Sequence, residues 1–195
     1  MARPIGVLAL QGDVREHIAS LEAVGAAAVS VRTLEDLSSV SGLVLPGGES
    51  TTISKLARIF DLFEPIRDAI HSGLPVFGTC AGLILLSNTI IDGIEGQETF
   101  GGLNSVVRRN AFGHQTESFE TKLAFKGIEG EQVEAAFIRA PIIETVGDNV
   151  EVLATLATGA IVAVRQKNIL GISFHPEISG ESRVHQYFVE QMVGA

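Results

Sequence analysis

The segment Gly78-Thr79-Cys80-Ala81-Gly82 constrains this chain more than any other. The run before it, Pro75-Val76-Phe77, reads as the end of a buried strand; the run after it, Leu83-Ile84-Leu85-Leu86, reads as the start of a helix. Small residues two places before and two places after the cysteine let the backbone reverse sharply without a side-chain clash. Such a turn lifts the sulfur to the top of a sheet and sets it at a helix N-terminus. There the dipole and free N–H groups favour negative charge on sulfur. A lone cysteine is more often a small buried hydrophobe. The flanking glycines and the strand–turn–helix context point instead to a nucleophile.

The surrounding pattern agrees with a sheet of that kind. Ile5 to Leu10 is a continuous apolar run, as in a strand buried on both faces. Asp13 and Glu16 resemble a capping box, behind which Val14, Ile18, Leu21 and Val24 share one helical face until Gly25. Ala28–Val31 and Leu43–Leu45 read as further strands. Ser50 or Thr51 is placed to cap a helix, and Pro65 to open another that Gly73 ends. From about Gly101 the runs become β-like: Asn104–Arg108, Ser118–Phe125, Val133–Ile138, Val150–Leu156, Ala160–Val164 and Ile169–Phe174, before a last helix over Glu181–Val193. The expected fold is α/β: one domain over residues 1–195, a three-layer sandwich with a mostly parallel central sheet, helices on both faces and an antiparallel extension.

Composition narrows the class. Apolar residues make up 46% and charged residues 19%, enough for a large core, and the net charge of −9 argues against nucleic acid or an anionic membrane as partner. No internal disulfide is possible with a single cysteine. The N-terminus has no signal-peptide layout, and no apolar run approaches a membrane span, so a cytoplasmic protein is expected.

Sites in such sheets form at the carboxyl ends of strands, and three predicted strand ends carry chemistry. The elbow at Cys80 is one. Phe174-His175-Pro176-Glu177 is another: a spacing of two in an extended segment turns both side chains to one side, where Glu177 can orient the imidazole of His175. Alone, His-Pro-Glu fits a solvated surface turn; with Cys80 it completes a Cys-His-Glu triad. The third is Pro46-Gly47-Gly48-Glu49-Ser50-Thr51-Thr52, which fits either a structural turn or a loop whose N–H groups face an oxyanion. It lacks the spacing of a phosphate loop.

The other histidines, His17, His71, His114 and His185, read as partly exposed structural residues. No cysteine–histidine spacing suits zinc, and neither metal nor cofactor is expected. Arg139 fits a carboxylate clamp at a strand edge or a surface ion pair equally well.

Together these segments resemble the class I (triad) glutamine amidotransferases. They are most similar to the branch formed by the glutaminase subunits of pyridoxal 5′-phosphate synthase. The resemblance is carried by Gly6–Gly12, Val14–His17, Leu45–Thr52, Gly78–Leu83, Arg109–Gly113, Phe137–Pro141 and Ser173–Glu177, nearly the whole chain. The elbow marks only the superfamily; Gly-Gly-Glu-Ser-Thr-Thr is the discriminating run.

The resemblance implies hydrolysis of L-glutamine to L-glutamate and ammonia, with Cys80 as nucleophile, His175 as base and Glu177 as its orienter. It implies glutamine contacts at Gly48, Glu49, Ser50, Arg109, Ile138 and Arg139. Oxyanion support would come from Gly47, Gly48 and Ala81, and Gln11 would lie near the docking surface. The implied partner is a (β/α)₈ synthase subunit, in an assembly of twelve synthase and twelve glutaminase chains, whose docking switches the glutaminase on. Three rivals stand beside this reading: a triad glutaminase serving another synthase, such as imidazole glycerol phosphate synthase; a non-catalytic module on the same fold; and a cysteine hydrolase for another amide or ester.

Overall fold

The computed structural model describes residues 3–109 and 118–194. Its first half alternates strand and helix: β1 (Ile5–Leu8), α1 (Val14–Ala23), β2 (Ala28–Val31), α2 (Leu34–Ser39), β3 (Gly42–Leu45), α3 (Ser50–Ile59), α4 (Phe63–His71), β4 (Val76–Thr79) and α5 (Ala81–Leu86). The second half is mostly strand: β5 (Ser87–Ile91), β6 (Leu103–Arg108), β7 (Ser118–Leu123), β8 (Val133–Ile138), β9 (Ile142–Val146), β10 (Glu151–Thr155), β11 (Ile161–Gln166) and β12 (Ile169–Ile172). It closes with α6 (Pro176–Ser179) and α7 (Arg183–Phe188), the latter running on as a π-helical turn over Val189–Val193.

Among the described residues, ten strands form one sheet in the order β2-β1-β3-β4-β12-β11-β9-β6-β5, with β10 added beside β11, and β7 pairs β8 as a separate hairpin. The five strands from β2 to β12 are parallel. At β11 the direction reverses, and the extension through β9 and β6 pairs antiparallel before β5 joins β6 in parallel.

The parallel strands are buried on both faces, and their alternation divides the core in two. Leu43, Leu45, Val76 and Ile169 face a cluster with Ile53, Ile66 and Leu85 from α3, α4 and α5. Ile5, Val7, Val44, Phe77 and Leu170 face the opposite cluster, with Leu21 from α1 and Val184 and Phe188 from α7. This is the expected α/β layering.

Several local expectations are corrected. Asp13 makes no side-chain cap on α1. The N-cap of α3 is Glu49 rather than Ser50 or Thr51: its carboxylate accepts the Thr51 and Thr52 N–H groups, and a carboxylate fills that position better than a hydroxyl because it can take both donors. Helix α2 and strands β5 and β9 lie outside the sequence expectations. The capping box that does form is Thr33 with Asp36, at the start of α2.

Candidate active site

The elbow is built by close packing between β4 and the elements around it. Cys80 sits at φ 49°, ψ −99°, a conformation that an L-residue rarely adopts. Its N–H donates to the Ile172 carbonyl at 2.9 Å, which ties the turn to β12. Both flanking glycines are demanded by space. A Cβ on Gly82 would lie 2.1 Å from the Leu45 carbonyl oxygen, and one on Gly78 would lie 2.6 Å from the backbone of Gly82. The sulfur is left at the floor of a cleft of about 390 Å³.

His175 lines the same cleft as Cys80, and the sulfur beside it favours its imidazolium. Behind it, Nδ1 of His175 meets Oε1 of Glu177 at 2.7 Å. The contact expected from the sequence exists, but its geometry is different. His175 is the N-cap of α6 (φ −115°, ψ 86°), Pro176 is the first helical residue, and Glu177 turns back to the imidazole from the first turn rather than from an extended strand. Burial disfavours the imidazolium, but the acceptor groups of Asp13, Cys80 and Glu177 around it outweigh burial, and the pKa of His175 is raised. Burial pushes the Glu177 carboxyl up, against the opposing pull of His175. Ion-paired geometry at 2.7 Å keeps the proton on the imidazole side of the pair.

Asp13, expected as a helix cap, instead faces the site, with Oδ2 3.5 Å from Nδ1 of His175. Asp13, His175 and Glu177 bring ligand-type atoms within 4.8 Å of one another, the one such group among the described residues.

The wall opposite the elbow is the Gly47–Glu49 loop. Gly47 packs directly against the His175 ring: a Cβ there would stand 2.4 Å from Cε1 of His175 and 2.8 Å from Oδ2 of Asp13. The Gly47 carbonyl accepts the Asp13 N–H at 3.2 Å. Gly48 adopts φ 149°, and a Cβ there would meet Oε1 of Gln11 at 2.5 Å. That oxygen accepts the Glu49 N–H at 2.8 Å, so Gln11 reaches the loop directly.

The remaining candidates line the same cleft: Gly48, Glu49, Ser50, Ala81, Arg109, Ile138 and Arg139, with Gln11. Both oxygens of the Glu49 carboxylate are occupied, by the amides and hydroxyls of Thr51 and Thr52. Burial works against its charge, but these bonds prevail and pull its pKa down to about 2. One oxygen also meets Arg109 at 3.0 Å. Gln97 completes this corner, accepting from Arg109 at 2.9 Å and donating to Ser50 at 2.9 Å. Arg139 is exposed at the rim at φ 43°, not buried at a strand edge, and among the described residues nothing pairs with its guanidinium. Arg109 is the last described residue before 110–117, so the rest of Arg109–Gly113, and His114, lie outside the described residues.

Sequence reasoning missed Asp13, Gln97, Ile84 and Ile178 as cleft or corner residues. It also misplaced two histidines: His17 and His185 are fully buried beneath the triad. His71 is exposed at the end of α4, as expected.

The model of the SNO glutamine amidotransferase family matches residues 7–194. The pyridoxal 5′-phosphate synthase subunit PdxT of Leifsonia xyli subsp. xyli is 57% identical over 190 residues, covering 97% of this chain and 96% of that protein. The PdxT subunit of Parafrankia sp. is 60% identical over 186 residues, covering 95% and 91%. A crystal structure described as a glutamine amidotransferase superposes with TM-score 0.91 at 45% identity, over 98% of this chain and 99% of that one. A putative GMP synthase component from Thermoplasma acidophilum, 18% identical with TM-score 0.68, covering 100% and 94%, shares the fold.

Proposed function

The chain belongs to the SNO glutamine amidotransferase family, and from that membership we propose that it is the glutaminase subunit of a pyridoxal 5′-phosphate synthase. It hydrolyses L-glutamine to L-glutamate and ammonia, and the ammonia passes to the synthase subunit. The observation that carries the chemistry is the Cys80–His175–Glu177 grouping, with His175 beside Cys80 in the cleft and its Nδ1 2.7 Å from Glu177.

The geometry suits a thioester mechanism. The sulfur attacks the carboxamide carbon of glutamine, and the carbonyl oxygen takes the negative charge. The Cys80 N–H is already committed to Ile172. The donor from the elbow is therefore Ala81, in the first turn of α5, where N–H groups have no helical partner. His175 then gives its proton to the leaving nitrogen; the C–N bond breaks, and ammonia departs from a glutamyl thioester. Water, deprotonated by His175, adds to the thioester carbon; the C–S bond breaks, glutamate leaves, and the proton returns to the Cys–His pair.

The second oxyanion donor is the Gly48 N–H. With the Gly47 carbonyl bound to the Asp13 N–H, the trans peptide points the Gly48 N–H the other way. A rotation of that one peptide would therefore exchange a latch on Asp13 for a different donor set, and glycine on both sides makes the rotation sterically easy. We assign this rotation as the step that synthase docking controls. The same family resemblance supports Gly48, Glu49, Ser50, Arg109, Ile138 and Arg139 as glutamine contacts. It also supports a (β/α)₈ partner in a twelve-plus-twelve assembly, and a cytoplasmic setting. No helix among the described residues is long and apolar enough to cross a membrane.

Glutamate release from glutamine, measured with and without the synthase subunit, tests the reading. Turnover that rises when the synthase is added is expected. No glutamate release in the complex, with turnover of another amide, would overturn it.

A further inference from the structure

Beneath the triad lies a polar chain that the reaction as derived does not use. His17 from α1, Thr79 from the end of β4, and His185 from α7 meet Glu177 in the interior. Nε2 of His17 stands 3.1 Å from Oγ1 of Thr79 and 3.5 Å from Oε1 of Glu177, with both side chains of the His17–Glu177 pair shut off from solvent. Nδ1 of His17 stands 2.9 Å from Nε2 of His185. Phe77 closes the group edge-on against both rings, at 6.2 and 5.4 Å between centroids.

One arrangement of protons satisfies this chain better than the other. If His17 carried its proton on Nδ1, it would donate to His185. His185 would then hold its own proton on Nδ1, where it has no partner. The Nε2 lone pair of His17 would then accept the Thr79 hydroxyl but would also face a carboxylate oxygen. A buried N–H without an acceptor is expensive, and a lone pair against a carboxylate is repulsive. With the proton on Nε2, His185 donates to His17 instead. The unpartnered His185 atom becomes a bare lone pair, and the N–H dipole of His17 points at Thr79 and Glu177. Burial, together with the neighbouring His185 and His175, holds the pKa of His17 well below its ordinary value, and burial alone brings His185 to about 4. Both rings are neutral when the triad works.

We propose that His17 is a positioning residue: its Nε2–H edge keeps the buried Glu177 carboxylate ionised and aimed at His175, with His185 setting the tautomer. The inference rests on the glutaminase reading for its kinetic consequences. Glu177 has one oxygen on His175 and a second, Oε2, with no hydrogen-bond partner. Its burial raises its pKa, so it needs nearby positive potential to stay charged. The other ionisable groups around it are accounted for. Asp13 faces His175 from the start of α1 and adds negative potential; Cys80 lies beyond the ring; and His185 reaches the carboxylate only through His17. Among the described residues, besides His175 and the backbone N–H of Glu177 itself, His17 is the side-chain N–H that faces this carboxylate, at 3.5 Å and shared with Thr79.

The test uses the complex with its synthase subunit. His17→Phe should lower kcat for glutamine about 10–100-fold. It should also move the acid limb of the kcat/KM profile up by roughly one pH unit, because Glu177 then protonates more readily. KM should change little. His17→Gln, whose amide nitrogen reaches the Nε2 position, should restore most of both. A slowed His17→Phe enzyme with an unmoved acid limb, or a folded His17→Gln enzyme as impaired as His17→Phe, would overturn the proposal. Nitrogen-15 spectra of histidine-labelled wild-type protein give an answer independent of activity. A neutral His17 protonated on Nε2 is expected, and the Nδ1–H tautomer would overturn the proposal. If the wild-type complex released no glutamate, the glutaminase reading would fail while the tautomer still decided this one.

Discussion

The two walls of the cleft are held in different ways. Cys80 stands at the end of β4, between β3 and β12 in the middle of the parallel sheet. Its N–H is bound to β12, and its glycine neighbours pack against the backbone of β3 and α5. Moving the sulfur means moving the sheet. Gly47–Glu49 leaves the adjoining β3 but has no strand beside it. Its carbonyl is held by one N–H of Asp13, its next amide by one side-chain oxygen of Gln11, and its far end by the cap of α3. Each such bond is worth about 1 kcal/mol net. Cys80 is therefore set when the chain folds, whereas the loop that faces it can be reset at small cost. A partner that regulates this protein has little to gain by touching the first wall and much by touching the second.

The sharpest break of that contrast removes the chemistry from the fixed wall. Cys80→Ala should abolish glutamine hydrolysis, a loss on the order of 10⁴–10⁶. Docking to the synthase should survive, and so should pyridoxal phosphate formation from added ammonium salts. Loss of the ammonia-driven reaction would show that the elbow also shapes the interface.

Gly47→Ala comes next, because it makes the adjustable wall collide with the fixed one. The backbone at Gly47 is not in the left-handed region, so alanine is excluded only by the His175 ring and Asp13. Pushing the ring aside should cost about 10²-fold in kcat, the scale of a 1 Å misplacement, with little change in melting temperature. Gln11→Ala is milder. It frees the Glu49 N–H and the loop it anchors, and should lower turnover in the complex roughly tenfold while leaving Cys80 as reactive as before toward a small alkylating reagent. A matching loss of alkylation would mean that Gln11 supports both walls.

The walls also differ in how far they can be read from sequence. The elbow is legible because its requirement is steric and local: Gly82 is needed where a Cβ would sit 2.1 Å from Leu45, and no other residue meets that need. His175 and Glu177 are legible as a pair, although by the wrong geometry; a helix N-terminus brings residues two apart together as well as a strand does. Asp13 is not legible. Its spacing to Glu16 satisfies a capping box, and only the tertiary position of His175 diverts it into the cleft. His17 and His185 look like polar residues on helix faces, and only their mutual pairing across α1 and α7 permits full burial. Strand β9 carries little signal because it is half-exposed and follows Pro141 directly, while α2 buries only Leu37.

The smallest effects concern acid stability, and they separate the walls by pH. Beneath the fixed wall, His185 has a folded pKa of about 4 against an ordinary 6.5. Between those values the unfolded chain binds a proton that the native state does not, so stability falls as pH drops through that window. His17 acts in the same direction; His175, whose pKa is raised, acts in the opposite one, its contribution being complete below 6.5 and lost as pH rises. In the adjustable wall, Glu49 has a folded pKa of about 2 against an ordinary 4.5. Its contribution is complete above 4.5 and is lost as pH falls toward 2. Melting temperature followed from neutral pH down to about pH 2 should therefore fall in two stages. His185→Phe should flatten the first stage. Glu49→Gln should flatten only the second, and by less, because its carboxylate is nearly half exposed and solvent screens it. If Glu49→Gln instead flattened the fall above pH 4.5, the loop would be coupled to the buried histidines, and the two walls would be one unit.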